Sequence, residues 1–463
     1  MKNIFLVLIA FTLVLFTVSC SSQNQSDKKE IVLWTDMTES ASIRATADRF
    51  EKANEGWKVR IVRVPFEELR AKYQTAGPVF KGPDVITGPH DWIGSFATAK
   101  LIAPVELSEE ESAGFLEVPL KALSSPDLND DNKAKLFGLP ISIEAAGLIY
   151  NKKFVKKAPE TMKELIEIAK HTNAGTLEEL RGTKYEEYIN FDACKGKKLE
   201  GFLYEVEDFY FTWAFFGGYG AYIFKDTPTG LDINDVGLDT PEALEAAKYI
   251  CDLDQHRGKN GIIPQGMSKD IANAKFMENE LLFTFNGPWA LADFKKRGIN
   301  SGIAPMPKLD NGQNPSVFVG VQGIYLNSRS FHKEKALEFM KEFCSKEGEV
   351  DIYLEGARMP SRYDAQQDPR LASIPYVSQN TRMSSYSSFS YIDDFEVREN
   401  DVLKGVLDSA STGTPIPNIV QMNAVWQPMK EAVQLMFRGE MKPEDALKEA
   451  ETRINKDVKG MME

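Results

Sequence analysis

Between residues 31 and 86 the sequence alternates short apolar runs with amphipathic stretches, and this alternation constrains the fold more than any other feature. Ile31-Val32-Leu33-Trp34 reads as a short buried strand. Ile43, Ala47 and Phe50 then recur at helical spacing, which gives a helix with one apolar face. Val59 to Val64 alternates apolar and basic residues as a strand does, Phe66 to Tyr73 reads as a second helix, and Asp84-Val85-Ile86 as a third strand entered through Gly82-Pro83. Strand–helix–strand–helix–strand is the signature of an α/β unit with a largely parallel sheet.

The chain has 463 residues, 43% of them hydrophobic, enough to bury the cores of two or more domains. Its net charge of −13 argues against nucleic acid and anionic membrane surfaces as partners. The four histidines are scattered without metal-ligand spacing, and there is neither a phosphate-binding glycine loop nor a G-x-S-x-G elbow. No cofactor is therefore expected. Cys194, Cys251 and Cys344 are too few and too uneven for a disulfide framework and read as thiols, the last two within helical patterns.

The N-terminus reads as a targeting segment. Lys2 precedes an apolar run, Ile4 to Val18, that is too short to span a bilayer comfortably. It ends in Thr17-Val18-Ser19-Cys20, followed by polar residues, and resembles a bacterial lipoprotein box in which Cys20 carries the lipid. Thr17 stands where that box usually has Leu; an ordinary signal peptide with an incidental Cys is the competing reading. Residues 1–19 are expected to be removed and 20–30 to form a lipidated flexible tether.

Candidate binding residues gather where strands end. Leu281 to Phe285 is an apolar run broken by Gly287 and Pro288, after which Ala290 to Lys296 reads as a helix. Trp289 thus sits at a strand-to-helix edge, where open α/β sheets collect ligands, and its indole can floor the apolar face of a sugar ring. Gly88-Pro89-His90-Asp91-Trp92 reads as an exposed loop at a sheet edge, with a carboxylate beside an aromatic. A carboxylate accepts two hydroxyl donors at once, although Asp91 also suits a helix N-cap. Glu144 is the one carboxylate in the extended apolar run 137–152; it either faces a cleft or meets a partner elsewhere in the chain, and the cleft is the expectation. In Glu205 to Trp213 acidic and aromatic residues alternate; Asp208 and Tyr210 are assigned to a ligand, and Phe211, Trp213, Phe215 and Phe216 to the core. Residues 172–198 read as a surface insertion. Ile374 to Tyr391, rich in Ser, Tyr and Phe, is either a disordered insertion or an aromatic-bearing lid. Trp426 is expected just before a helix from Pro428 to Met436.

Taken together, Pro83-Asp84-Val85 with His90-Asp91, Pro140 to Ala145 with Leu148 to Lys152, Tyr210 to Trp213, Asp232 to Gly237, Asn286 to Trp289, and Pro417-Asn418-Ile419 with Gln421-Met422 and Trp426 resemble, in that order, the maltose- and maltodextrin-binding proteins of bacterial ABC importers. The resemblance runs over nearly the whole mature chain. It implies an α/β fold of two discontinuous lobes, residues 31–141 with 323–358 and residues 145–318 with 362–460. These are joined by a hinge of crossing strands near 141–145, 317–323 and 357–362, around a ligand cleft. It also implies a protein that closes on an oligosaccharide and delivers it to permease subunits, on the extracytoplasmic side where lipid on Cys20 would tether it to the membrane. A monomer is the default, because nothing in the sequence reads as a coiled-coil or dimer motif. By the same resemblance Asp91, Glu144 and Asp208 grip hydroxyls, while Tyr210, Trp289 and Trp426 stack on sugar rings. There are departures: the family often has Trp where Gly88 stands and Arg where Trp92 stands, so Trp92 joins the candidate site. A family Lys near the end of the first strand is replaced by Met37-Thr38-Glu39. These changes leave the sugar open between longer maltodextrins, cyclodextrins and another oligosaccharide. A surface glycoside hydrolase with paired carboxylates, or a binding protein for another solute, are the competing functions.

Overall fold

The computed structural model describes residues 28–126, 134–228, 230–371 and 401–462. The targeting segment, Cys20 and the stretch Ile374 to Tyr391 lie outside the described residues.

The opening alternation folds as its periodicity predicts. Strand β1 (Glu30–Thr35), helix α1 (Ser40–Ala53), β2 (Lys58–Arg63), helix α2 (Phe66–Ala76) and β3 (Val85–Pro89) follow in turn. Both β2 and β3 lie parallel to β1. Ile43, Ala47 and Phe50 of α1 are buried, because their spacing puts them on the one face that meets the sheet.

The apolar run 137–152 is two strands, β4 (Leu139–Ala145) and β5 (Gly147–Asn151), separated only by Ala146. They belong to different sheets. The second sheet continues with β6 (Glu200–Leu203), β7 (Leu281–Asn286) and β8 (Ser301–Ala304). The chain then returns through β9 (Phe318–Leu326), β10 (Met359–Pro360) and β11 (Thr414–Pro415). The first sheet has the order β10-β4-β9-β3-β1-β2, with β11 added alongside β9, and the second has β8-β5-β7-β6.

Strands β4 and β9 cross from one core to the other. They pair antiparallel, and every residue of both is buried, so neither shows the alternation of a half-exposed strand. Their two ends sit in different cores. Leu139 and Ile141 of β4 and Ile324 and Leu326 of β9 pack in the first lobe. Ile143 and Ala145, with Phe318 and Val319, pack in the second. The register slips by one residue between Gln322 and Gly323, opposite Ser142 and Pro140, a bulge that leaves Ile141 unmatched where the strands pass between lobes. Within 172–198, the last residues of a helix (Met162–Ala174) are followed by short helical turns over 177–194 that pack Leu180, Ile189 and Phe191 into the second core. Cys194, Cys251 and Cys344 are free thiols; burial pushes Cys194 up to about 11 and Cys251 up to about 12.

Candidate functional site

The first face of the site is built at the C-terminal end of β3. The sequence reading of residues 88–92 as an exposed loop is corrected here. Gly88 and Pro89 complete β3 by pairing with Gly323 and Gln322 of β9, and His90, Asp91 and Trp92 form a buried single turn. Proline is tolerated because β1 pairs with β3 only as far as Ile86, leaving the Pro89 end flanked by β9 alone. His90 fixes the turn. Its Nδ1 accepts from the Val321 amide at 3.1 Å, so Nε2 carries the proton and donates to the Ile416 carbonyl at 2.9 Å. Burial lowers its pKa, which keeps this tautomer neutral. Asp91 is also buried, and burial raises its carboxyl pKa; Arg70 and a hydrogen bond from the Trp426 indole pull the other way.

Trp92 is 4% exposed and packs inside the first lobe, stacked on Phe66 at 5.7 Å and tilted against Phe96 at 5.6 Å. A Cβ added to Gly88 would meet the Trp92 ring at 2.5 Å. The indole therefore occupies the space that a side chain at position 88 would need. Gly88→Ala is expected to lower stability by about 1–3 kcal/mol through overpacking, read as a drop in the calorimetric melting temperature. An unchanged melting temperature would mean that the ring moves aside freely.

Glu144 sits one residue from the end of β4. The sequence left a choice between a cleft-facing and a paired carboxylate and favoured the cleft; the structure supplies a partner. Arg358 donates from Nη1 to Glu144 Oε1, and Ser142 Oγ donates to the same oxygen at 3.2 Å. The Arg358 Nε donates to Glu39 Oε1 at 2.7 Å. Arg358 is 3% exposed, and burial opposes its charge, but Glu39 and Glu144 outweigh that and raise its pKa.

The second face is carried by helix α3 (Phe209–Tyr219). Asp208 caps it, with Oδ1 accepting from the Tyr210 amide at 2.9 Å, and burial raises the Asp208 pKa. Phe211, Trp213, Phe215 and Phe216 are core, as their pattern predicts. Tyr210 is half-buried and meets Trp289 at 6.0 Å. Its phenol pKa is pushed up by burial and then by Glu144, Asp208 and Asp91, so the hydroxyl lies in the field of all three predicted carboxylates. Trp289 lies in the turn Pro288–Ala290 that leads into helix α4 (Leu291–Lys296). Its ring folds back over Gly287, where a Cβ would meet it at 2.2 Å. Trp426 lies within the first turn of helix α5 (Asn423–Arg438) rather than before a helix at Pro428. The turn Val420–Met422 runs directly into that helix and starts it upstream of the proline.

One residue of this site was missed. Phe318, 1% exposed at the start of β9, stacks on Trp213 at 5.0 Å and touches Tyr210 at 5.8 Å and Trp426 at 5.5 Å. It is the hub on which the aromatic face rests. In sequence it is one more apolar residue in a fully buried strand, and nothing local marks it. The two faces are drawn together by Arg70 of α2 with Asn423 of α5, by Lys269 with Glu67 of α2, and by Lys296 Nζ donating to the Thr38 carbonyl at 2.6 Å. Five of the predicted residues, Asp91, Glu144, Asp208, Tyr210 and Trp426, are linked directly by these contacts and fields; Trp289 joins through Tyr210, and Trp92 backs the first face.

A family described as bacterial extracellular solute-binding protein matches residues 45–378, well over half of the chain. Among curated relatives, the galactooligosaccharide-binding protein of Bacillus subtilis is 26% identical over 448 residues, covering 95% of this chain and 92% of that protein. The maltodextrin-binding protein of the same organism is 24% identical, covering 99% and 98%. A maltooligosaccharide ABC transporter solute-binding lipoprotein of Streptococcus pneumoniae is 24% identical, covering 96% and 94%. Among solved structures, the maltotriose-binding protein of Thermus thermophilus bound with maltotriose is 28% identical, with a TM-score of 0.76 over 92% of this chain and 100% of that one.

Proposed function

This chain belongs to the bacterial extracellular solute-binding proteins, and from that premise we propose that it captures an oligosaccharide, of maltodextrin or galactooligosaccharide type, for an ABC importer. The observation that carries the reading is the gathering at Tyr210: its ring lies beside Trp289 at 6.0 Å and Phe318 at 5.8 Å, and the Asp208 carboxylate sits on its amide at 2.9 Å. Aromatic faces beside acceptor-only carboxylates suit a polyhydroxylated ring, which offers C–H faces and O–H donors. In this reading Asp91, Glu144 and Asp208 accept sugar hydroxyls. Tyr210, Trp289 and Trp426 stack on ring faces, and Trp92 forms the wall behind Gly88. The lobes comprise residues 31–141 with 323–358 and residues 145–318 with 362–460. Sugar bridging both favours the closed form by its contacts to each. Lipid on Cys20 tethers a monomer to the outer side of the membrane beside its permease, and the protein delivers sugar without cleaving it.

Intrinsic fluorescence tests this. Titration with maltose, maltotriose, longer maltodextrins, cyclodextrin and galactooligosaccharides is expected to give a saturable change with one of these classes, with no shorter products formed on incubation. Silence to all of them, confirmed by calorimetry, removes the sugar reading; shorter products favour the hydrolase.

A further inference from the structure

Beside the cleft lies a cluster that the sugar contacts above do not use. The loop after β1 brings Asp36, Thr38 and Glu39 against β4 and the third crossing segment. Asp36 Oδ1, Thr38 Oγ1 and Glu39 Oε2 are sealed from solvent and have no hydrogen-bond partner among the described residues. Arg358 holds Glu39 with Nε and Glu144 with Nη1, so one guanidinium joins a first-lobe loop to the strand that crosses between lobes. Both donors to Glu144, Arg358 Nη1 and Ser142 Oγ, converge on Oε1; neither bonds Oε2.

We infer that Arg358 is a positioning residue for ligand binding: it turns Glu144 so that Oε2 is offered to the ligand, and does so only while the crossing segment holds its place. The inference rests on the sugar-binding reading. A guanidinium suits this task because its donors are fixed in one plane and can serve two carboxylates at once, whereas an ammonium is a point charge on a flexible stem. Three carboxylates, Glu39, Glu144 and Asp36, face this one cation. Burial raises the Asp36 pKa to about 6, against the pull of Arg358 and with the help of Glu144 and Glu39. Lys296, on the Thr38 carbonyl, is the other cation packed against this loop.

The test is calorimetric titration of the full chain with maltotriose, or with galactotriose if the wild type answers only to that. Arg358→Met is expected to raise the dissociation constant by at least about tenfold. Arg358→Lys keeps the charge and guards against a variant that fails to fold. It is expected to keep the melting temperature while weakening binding by about fivefold or more, a loss that a merely structural role would not give. Wild-type affinity in Arg358→Lys, or in a folded Arg358→Met, overturns the positioning role. A wild-type protein that binds neither sugar overturns the sugar-binding reading instead, and the two failures are told apart by the wild-type titration alone.

Discussion

Trp289→Ala is expected to raise the dissociation constant for the bound oligosaccharide by tenfold or more, about 1.4 kcal/mol, and to leave the protein folded. The two halves of this expectation have separate causes. The ring is only partly buried and lies back over Gly287, against Tyr210, rather than in the middle of a core. Removing it vacates a surface more than it opens a cavity. What is lost is a flat apolar face at the strand-to-helix edge, held at a fixed angle because the turn Pro288–Ala290 leaves it little freedom. Calorimetric titration checks the first half and the melting temperature the second. An unchanged dissociation constant would take Trp289 out of the site.

Phe318→Ala should behave differently and cost more. This ring is fully buried and stacks on Trp213, with Tyr210 and Trp426 against its other sides. Truncation leaves a cavity that three large neighbours cannot all fill, and large-to-small changes of this kind cost about 3–5 kcal/mol. Because two of those neighbours are also proposed ligand contacts, affinity should fall together with stability. Urea unfolding of the unliganded protein, followed by titration of the variant, reads both. A loss of stability below about 1 kcal/mol would show that Phe318 is not the support described here. The contrast between a variant that loses binding alone and one that loses both separates the surface of the site from its foundation.

Much of the molecule was legible before any coordinates. The first three strands and two helices are where the apolar spacing puts them, since the core selects periodicity and periodicity is local. The strand-to-helix edge at Trp289 was legible for the same reason: Gly287 and Pro288 act on their own backbone. The order of strings such as Asn286 to Trp289 and Tyr210 to Trp213 also carried the family, which the match to extracellular solute-binding proteins shows directly. Residues 88–92 were misread because glycine and proline mark a turn, whereas the pairing of Gly88 and Pro89 with β9 lies more than two hundred residues away.

The sequence by itself determined the opening strands and helices, the α/β class and the aromatic core of α3. Each of these follows from neighbours a few positions apart, where spacing and side-chain type decide which face is buried. Only the tertiary structure decided that Glu144 has a guanidinium partner 214 residues away, that Trp92 fills the space over Gly88, and that Phe318 supports Tyr210 and Trp426. A charge pair has no period, and a strand buried on both faces gives every apolar residue the same appearance. Which of them carries a site is fixed by what the folded chain brings against it.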